Sequence, residues 1–121
     1  MEEKAQIKTV IEAFVKAGEE RNINSYDSIL HPNFRVVANH YPSPDKTTFL
    51  NKETYIDLIK KKVIGGTKFN LIFKDISLVE HSATVQIQLA ASKGGQIITF
   101  LLIKNAQQQW QIVSDMAVQT S

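Results

Sequence analysis

Thr99-Phe100-Leu101-Leu102-Ile103-Lys104, a break at Asn105 to Gln108, and then Gln109-Trp110-Gln111-Ile112-Val113 decide how this chain folds. Both runs are rich in β-branched and aromatic residues, and polar turn formers separate them, which predicts two antiparallel strands and a short connection. Working outward, residues 69–79, 83–91, 96–103 and 109–118 read as four long strands. Their turns fall at His81-Ser82, Lys93-Gly94-Gly95 and Asn105 to Gln108. Towards the N-terminus the apolar period changes from 2 to 3.6. Ile7, Val10, Ile11, Phe14 and Val15 place one stripe on a first helix of about five turns that stops near Gly18. Asn24 caps a short second helix that buries Tyr26, Ile29 and Leu30, and His31-Pro32-Asn33 ends it. Residues 34–39 alternate as a first strand, Tyr41-Pro42-Ser43-Pro44-Asp45 is a loop, and Asn51 opens a third helix bearing Tyr55, Ile56, Ile59 and Val63. Gly65-Gly66 stops that helix. Helices gathered in one part of the chain and an antiparallel meander in another predict an α+β fold: a first strand plus a four-strand meander packed on three N-terminal helices.

The chain has 121 residues, 14 Lys plus Arg, 12 Asp plus Glu, a net charge of +2, 43% hydrophobic residues and no Cys. Residues 1–121 therefore read as a single domain with one core, and disorder, disulfides and Cys-ligated metals are excluded. The longest apolar runs, Ile97-Ile98 and Phe100 to Ile103, fall far short of the ~20 residues of a membrane span, so no membrane partner is expected. Met1-Glu2-Glu3-Lys4 has no apolar signal core, which gives a soluble, cytoplasmic expectation. Lys60-Lys61-Lys62 offsets the dipole of a helix end and has no interleaved aromatics, so no nucleic acid is expected. Three scattered His and glycine pairs outside any strand–loop–helix context predict no metal and no cofactor.

If His81-Ser82 and Lys93-Gly94 are two-residue turns, strand register follows, and register assigns the faces. One face collects Ile72, Ile76, Leu78, Val85, Ile87, Leu89, Ile98, Phe100, Leu102 and Val113, and the helices must cover it. Lys74 and Asp115 are the misfits there. Lys74 can snorkel or mark a bulge. Asp115 has no such exit and is the leading candidate for a ligand acceptor or general base. His40 shares the parity of Phe34, Val36 and Ala38, which makes it the candidate acid/base partner of Asp115. The expected pocket comprises Phe14, Tyr26, Val36, Ala38, His40, Tyr55, Ile59, Leu89, Phe100, Val113 and Asp115. Three helices leave the other face uncovered. Its Leu71, Phe73, Ile97, Leu101, Ile103, Trp110, Ile112 and Met116 predict a homodimer interface.

The order of elements and the two runs quoted first resemble the nuclear transport factor 2-like superfamily, over essentially the whole chain. The closest subgroup in kind is the one labelled putative lumazine-binding, near the polyketide-cyclase-like proteins. The resemblance implies a cone-shaped curved antiparallel sheet wrapped around helices, with a pocket inside, and frequent pairing of protomers. The enzymatic residues of the superfamily do not carry over. Phe14 stands where isomerase-like members have a tyrosine, Ala38-Asn39-His40-Tyr41 where they have a base, and Ile98-Thr99-Phe100 where they have a second acid. Arg35 and Asp115 exist as parts of an epoxide-hydrolase-like set, but strand parity turns Arg35 outward. The polar residue five positions after the Trp, a common pocket position, is Asp115.

Three functions follow, ranked in this order. The first is binding of a small apolar or aromatic molecule without catalysis. The second is a dimeric interaction module with a filled cone. The third is a cyclase- or isomerase-like enzyme using Asp115 and His40.

Overall fold

The computed structural model describes residues 2–92 and 94–120; Lys93 of the expected Lys93-Gly94-Gly95 turn lies outside them. Helix α1 spans Glu3–Glu20 and buries Ile7, Ile11, Phe14 and Ala17. It ends at Arg21, whose left-handed φ of 53° closes the last turn by donating its N–H to the Ala17 carbonyl, so Gly18 lies inside the helix. Strand β1 is Leu30–Asn39, β2 is Thr47–Asn51, helix α2 is Lys52–Lys60, and β3 to β6 are Asn70–Val79, Ser82–Ala90, Gly95–Lys104 and Trp110–Thr120. The Asn51 cap is present: its side chain accepts from the Thr54 N–H at 2.8 Å.

The fold is α+β, as expected, with three differences. The second helix is a single 3-10 turn, Ile23–Tyr26, so two α-helices rather than three face the sheet. Strand β1 begins at Leu30, before His31-Pro32-Asn33; Pro32 lies where the β1–β6 register is irregular, between Leu30 and Arg35, and there its missing N–H costs the ladder nothing. Strand β2, absent from the expectation, is a short edge strand that runs straight into the α2 cap. The sheet therefore has six strands in the order β2-β1-β6-β5-β4-β3, and β1 pairs with β6 in parallel. The β3–β4 turn is Glu80-His81, one residue earlier than expected, with Val79 opposite Ser82.

Two bulges set the faces. Lys74 interrupts the β3–β4 register between Phe73 and Asp75. Before it, Leu71 and Phe73 lie opposite Leu89 and Ile87 and so turn inward; Ile72 turns out. The Lys8 ammonium on α1 sits 5.5 Å from the Phe73 ring centre. The second bulge is at Val113, where Leu101 opposes Ser114 but Leu102 opposes Ile112. One extra residue reverses the alternation. Trp110, Ile112 and Asp115 consequently all face the concave side and are buried, while Val113 is the half-buried bulge residue. The expectation that Leu71, Phe73, Trp110 and Ile112 lie on the outer face, and Val113 in the pocket, is thereby corrected. Ile97, Leu101, Ile103 and Met116 remain on the convex side.

Glu3 fastens α1 to the end of the sheet. Its two carboxylate oxygens accept from Lys104 Nζ and Trp110 Nε1, each at 2.7 Å. These bonds, the Lys104 one first, hold the Glu3 carboxyl below the usual carboxylate range. Under α1 the core is aromatic. Phe14 is its hub, edge-on to Phe100 at 5.4 Å and stacked on Tyr55 at 6.0 Å.

The inward turn of Ile112 predicts an asymmetry that strict alternation would not. Ile112→Ala should cost about 2–5 kcal/mol in denaturant unfolding. Met116→Ala, on the outer face, should stay within about 0.5 kcal/mol when measured in a Leu101→Glu background, whose added charge keeps that face open to solvent. Equal costs would contradict the bulge.

Candidate functional site

The concave rows of the sheet explain where the cone is hollow. One row runs Leu50, Val36, Asp115, Phe100, Val85 across β2, β1, β6, β5 and β4. The next row runs Thr48, Ala38, Ala117, Ile98, Ile87. Two alanines side by side leave space that larger side chains fill elsewhere. The result is a cavity of about 410 Å³ between the sheet, α1, α2 and the segment after α2. That size is ordinary for a small-ligand pocket, ~300–1,000 Å³. The cone is therefore not filled by its own side chains, which removes the basis of the interaction-module reading.

Of the residues expected in a pocket, Phe14, Val36, Ala38, Tyr55, Ile59, Leu89 and Asp115 line this cavity. Tyr26 and Phe100 are buried in the core beside it and do not line it. His40 is exposed, with a left-handed φ of 60°, and its Nδ1 faces the Pro44 carbonyl oxygen. It neither lines the cavity nor meets Asp115, so the expected His–carboxylate pair does not form. The positive φ at the strand end swings the side chain out of the alternation that placed it inside. Arg35 is exposed, as parity required.

Lining residues that the sequence reading did not place there include Thr48 and Leu50 of β2, Gln96 and Gln119 at the strand ends, and Val63 to Gly65 with Thr67 and Phe69 after α2. Alternation in Thr47–Asn51 was the available signal for the first two: Thr48 and Leu50 are half-buried while Phe49 is 73% exposed. The segment after α2 is held by Arg21, whose Nη2 donates to the Gly65 carbonyl at 2.7 Å, and by the Gly66 N–H donating to the Gly18 carbonyl at 2.9 Å. Gly66 has a φ of 83°, a left-handed backbone conformation that side chains rarely adopt, which favours glycine there.

Asp115 is 4% exposed, and its Oδ1 has no hydrogen-bond partner among the described residues. Desolvation disfavours its charged form and raises its pKa from 3.8 to about 7. Two hydroxyls share this environment. Tyr26 and Tyr55 both have raised pKa values, chiefly through burial, with the Asp115 charge adding to each. The Tyr26 hydroxyl is buried, and its polar neighbour is the Tyr55 hydroxyl. At the far wall Glu19 Oε2 accepts from the Phe69 N–H at 2.8 Å. An enclosed carboxyl poised near neutrality can accept a donor when ionised or give a proton when neutral. No group of three or more His, Asp or Glu among the described residues could hold a metal ion.

With this geometry established, comparison with known proteins adds the following. The family model described as "Putative lumazine-binding" matches residues 2–116. Among curated proteins no sequence matches. An NTF2-like protein of unknown function from Shewanella baltica is similar with a TM-score of 0.82 at 16% identity, covering 98% of this chain and 94% of that one. An NTF-2 like protein of unknown function from Silicibacter pomeroyi gives 0.81 at 14%, covering 95% and 93%. A ketosteroid isomerase-like protein from Erwinia carotovora atroseptica gives 0.78 at 16%, covering 99% and 98%. At these identities the likeness is one of fold, and the fold is that of the nuclear transport factor 2-like superfamily.

The raised carboxyl has a consequence for stability, and its sign is opposite to that of a salt-bridged acid. Between pH 3.8 and about 7 the unfolded chain has released the Asp115 proton while the folded chain retains it, so stability falls as pH rises through that window and levels off above it. Relative to Asp115→Asn, wild type should lose on the order of 4 kcal/mol between pH 4 and pH 8. Denaturant unfolding of both proteins at the two pH values measures this, and a constant difference would refute it.

Proposed function

We propose, for a chain that belongs to the family described as "Putative lumazine-binding", that it is a small-molecule-binding protein whose ligand occupies the cone and is anchored by Asp115. The observation that carries this reading is an enclosed, unpartnered carboxyl oxygen in an otherwise largely apolar cavity of about 410 Å³. Leaving a buried acceptor unpaired costs roughly 1–3 kcal/mol, and a ligand donor removes that cost only when bound. The absence of His40 from the cavity favours binding over acid/base catalysis by that pair. Native mass spectrometry of the purified protein tests the reading. A retained small molecule is expected in wild type and none in Ala117→Leu, whose longer side chain fills the hollow. An empty wild type that also binds nothing from an apolar and aromatic compound panel would overturn it.

The same chain is proposed to pair with itself through the convex face. Support comes from Phe49, Val37 and Met116, neighbours across β2, β1 and β6, with Leu101 and Ile97 on β5. Phe49, Met116 and Leu101 are 73%, 48% and 39% exposed in the single chain. Covering four such side chains, already about half-buried in the single chain, offers on the order of 3–6 kcal/mol before association costs. Light scattering after size exclusion should give twice the chain mass for wild type and a single chain mass for Leu101→Glu. A wild-type monomer would contradict the pairing.

A further inference from the structure

Among the described residues the walls of the cavity carry acids and no bases, and this imbalance, together with the binding role proposed above on which the inference rests, bears on the chemistry of the ligand. The titratable residues lining it are Asp115 and Glu19 with Tyr41 and Tyr55, and among the described residues no Lys, Arg or His lines it. Glu19 is engaged with the Phe69 backbone, whereas Asp115 Oδ1 is not engaged. The titratable groups close enough to feel the Asp115 charge are Tyr26 from the 3-10 turn and Tyr55 from α2, while Glu19 from α1 and Tyr41 from the loop before β2 line the same cavity, and none of the four is a cation.

Three kinds of ligand can be weighed against this. An anion would add a second negative charge beside Asp115 with nothing to balance it. A purely apolar molecule would leave the carboxyl oxygen without a donor, a state buried polar atoms avoid. An ammonium group supplies both N–H donors and the missing positive charge, and a charge-assisted bond to a carboxylate is the stronger kind. Phe14, Tyr55 and Phe69 line the same cavity, and aromatic rings attract a nearby cation. We propose that the cavity takes a small organic amine on an apolar or aromatic frame, with its N–H groups on the Asp115 carboxylate. Because burial has brought that carboxyl to about 7 in the unliganded protein, affinity for the amine falls as the pH drops below neutrality and Asp115 takes up a proton that the ammonium must displace.

The test is calorimetric titration of wild type and Asp115→Asn with 2-phenylethylamine, 2-phenylethanol and 3-phenylpropanoate, and with the three naphthyl counterparts. At pH 8 wild type should bind the amine at least about tenfold more tightly than the alcohol, with the carboxylate weakest. Asp115→Asn should retain the alcohol and lose the preference for the amine. In wild type alone, amine affinity should fall about tenfold from pH 8 to pH 5.5, which keeps the test decisive if the variant folds poorly. A carboxylate bound as tightly as the amine, or an amine preference unchanged in Asp115→Asn or between the two pH values, overturns the amine assignment and leaves ligand binding standing. Failure of all six probes to bind wild type counts against the binding reading itself and against the amine with it.

Discussion

Val113 is one residue more than the ladder between β5 and β6 can pair, and the concave face is built around that surplus. Without it, a strand that turns Trp110 and Ile112 inward would turn Asp115 outward, because side chains alternate strictly. With it, Trp110 reaches Glu3 at the start of α1, Ile112 seals the core against Leu30, and Asp115 still points into the cone. One local irregularity thus serves both the attachment of the helix and the placement of the acid. The bulge at Lys74 does the same for the other half of the sheet, turning Leu71 and Phe73 to the concave side, where Phe73 meets Lys8 of α1.

The two ends of the cone have opposite characters. Around Phe14, the rings of Tyr26, Phe34, Tyr55 and Phe100 pack edge-on, tilted or stacked at 5.4 to 6.1 Å. Aromatic pairs of this geometry add ~0.5–1.5 kcal/mol each beyond their buried area, so this end carries stability. One row further along, Ala38 and Ala117 replace large side chains, and the sheet stands away from α2. An ionisable group at the boundary between the two, desolvated and one oxygen short of a partner, is unfavourable for folding. Proteins break their packing rules in this way chiefly at sites of function.

Much of this was legible in the residues. The stripe of α1, the Asn51 cap, the four meander strands and the anomaly of Asp115 among apolar neighbours all follow from periodicity and residue type. Face assignment failed where a bulge intervened, because a single inserted residue leaves no mark on composition. Lys74 announced its bulge by being a charge on an apolar face, whereas Val113, an unremarkable strand former, did not. Strand β2 escaped notice because five residues between a proline loop and a helix cap are too few for alternation to stand out. His40 was misplaced because parity cannot anticipate a positive φ at the end of a strand. The hollow itself rests on two alanines that are distant in sequence and adjacent only through the parallel pairing of β1 with β6.

The site turns on Asp115, enclosed in a largely apolar cavity, without a charge partner among the described residues, and poised near neutrality. The most direct measurement is the pH titration of its carboxyl carbon by NMR in labelled protein, assigned by comparison with Asp115→Asn. The account predicts a midpoint close to 7. A midpoint near the ordinary value of roughly 4 would mean a solvated or paired carboxylate and would contradict it.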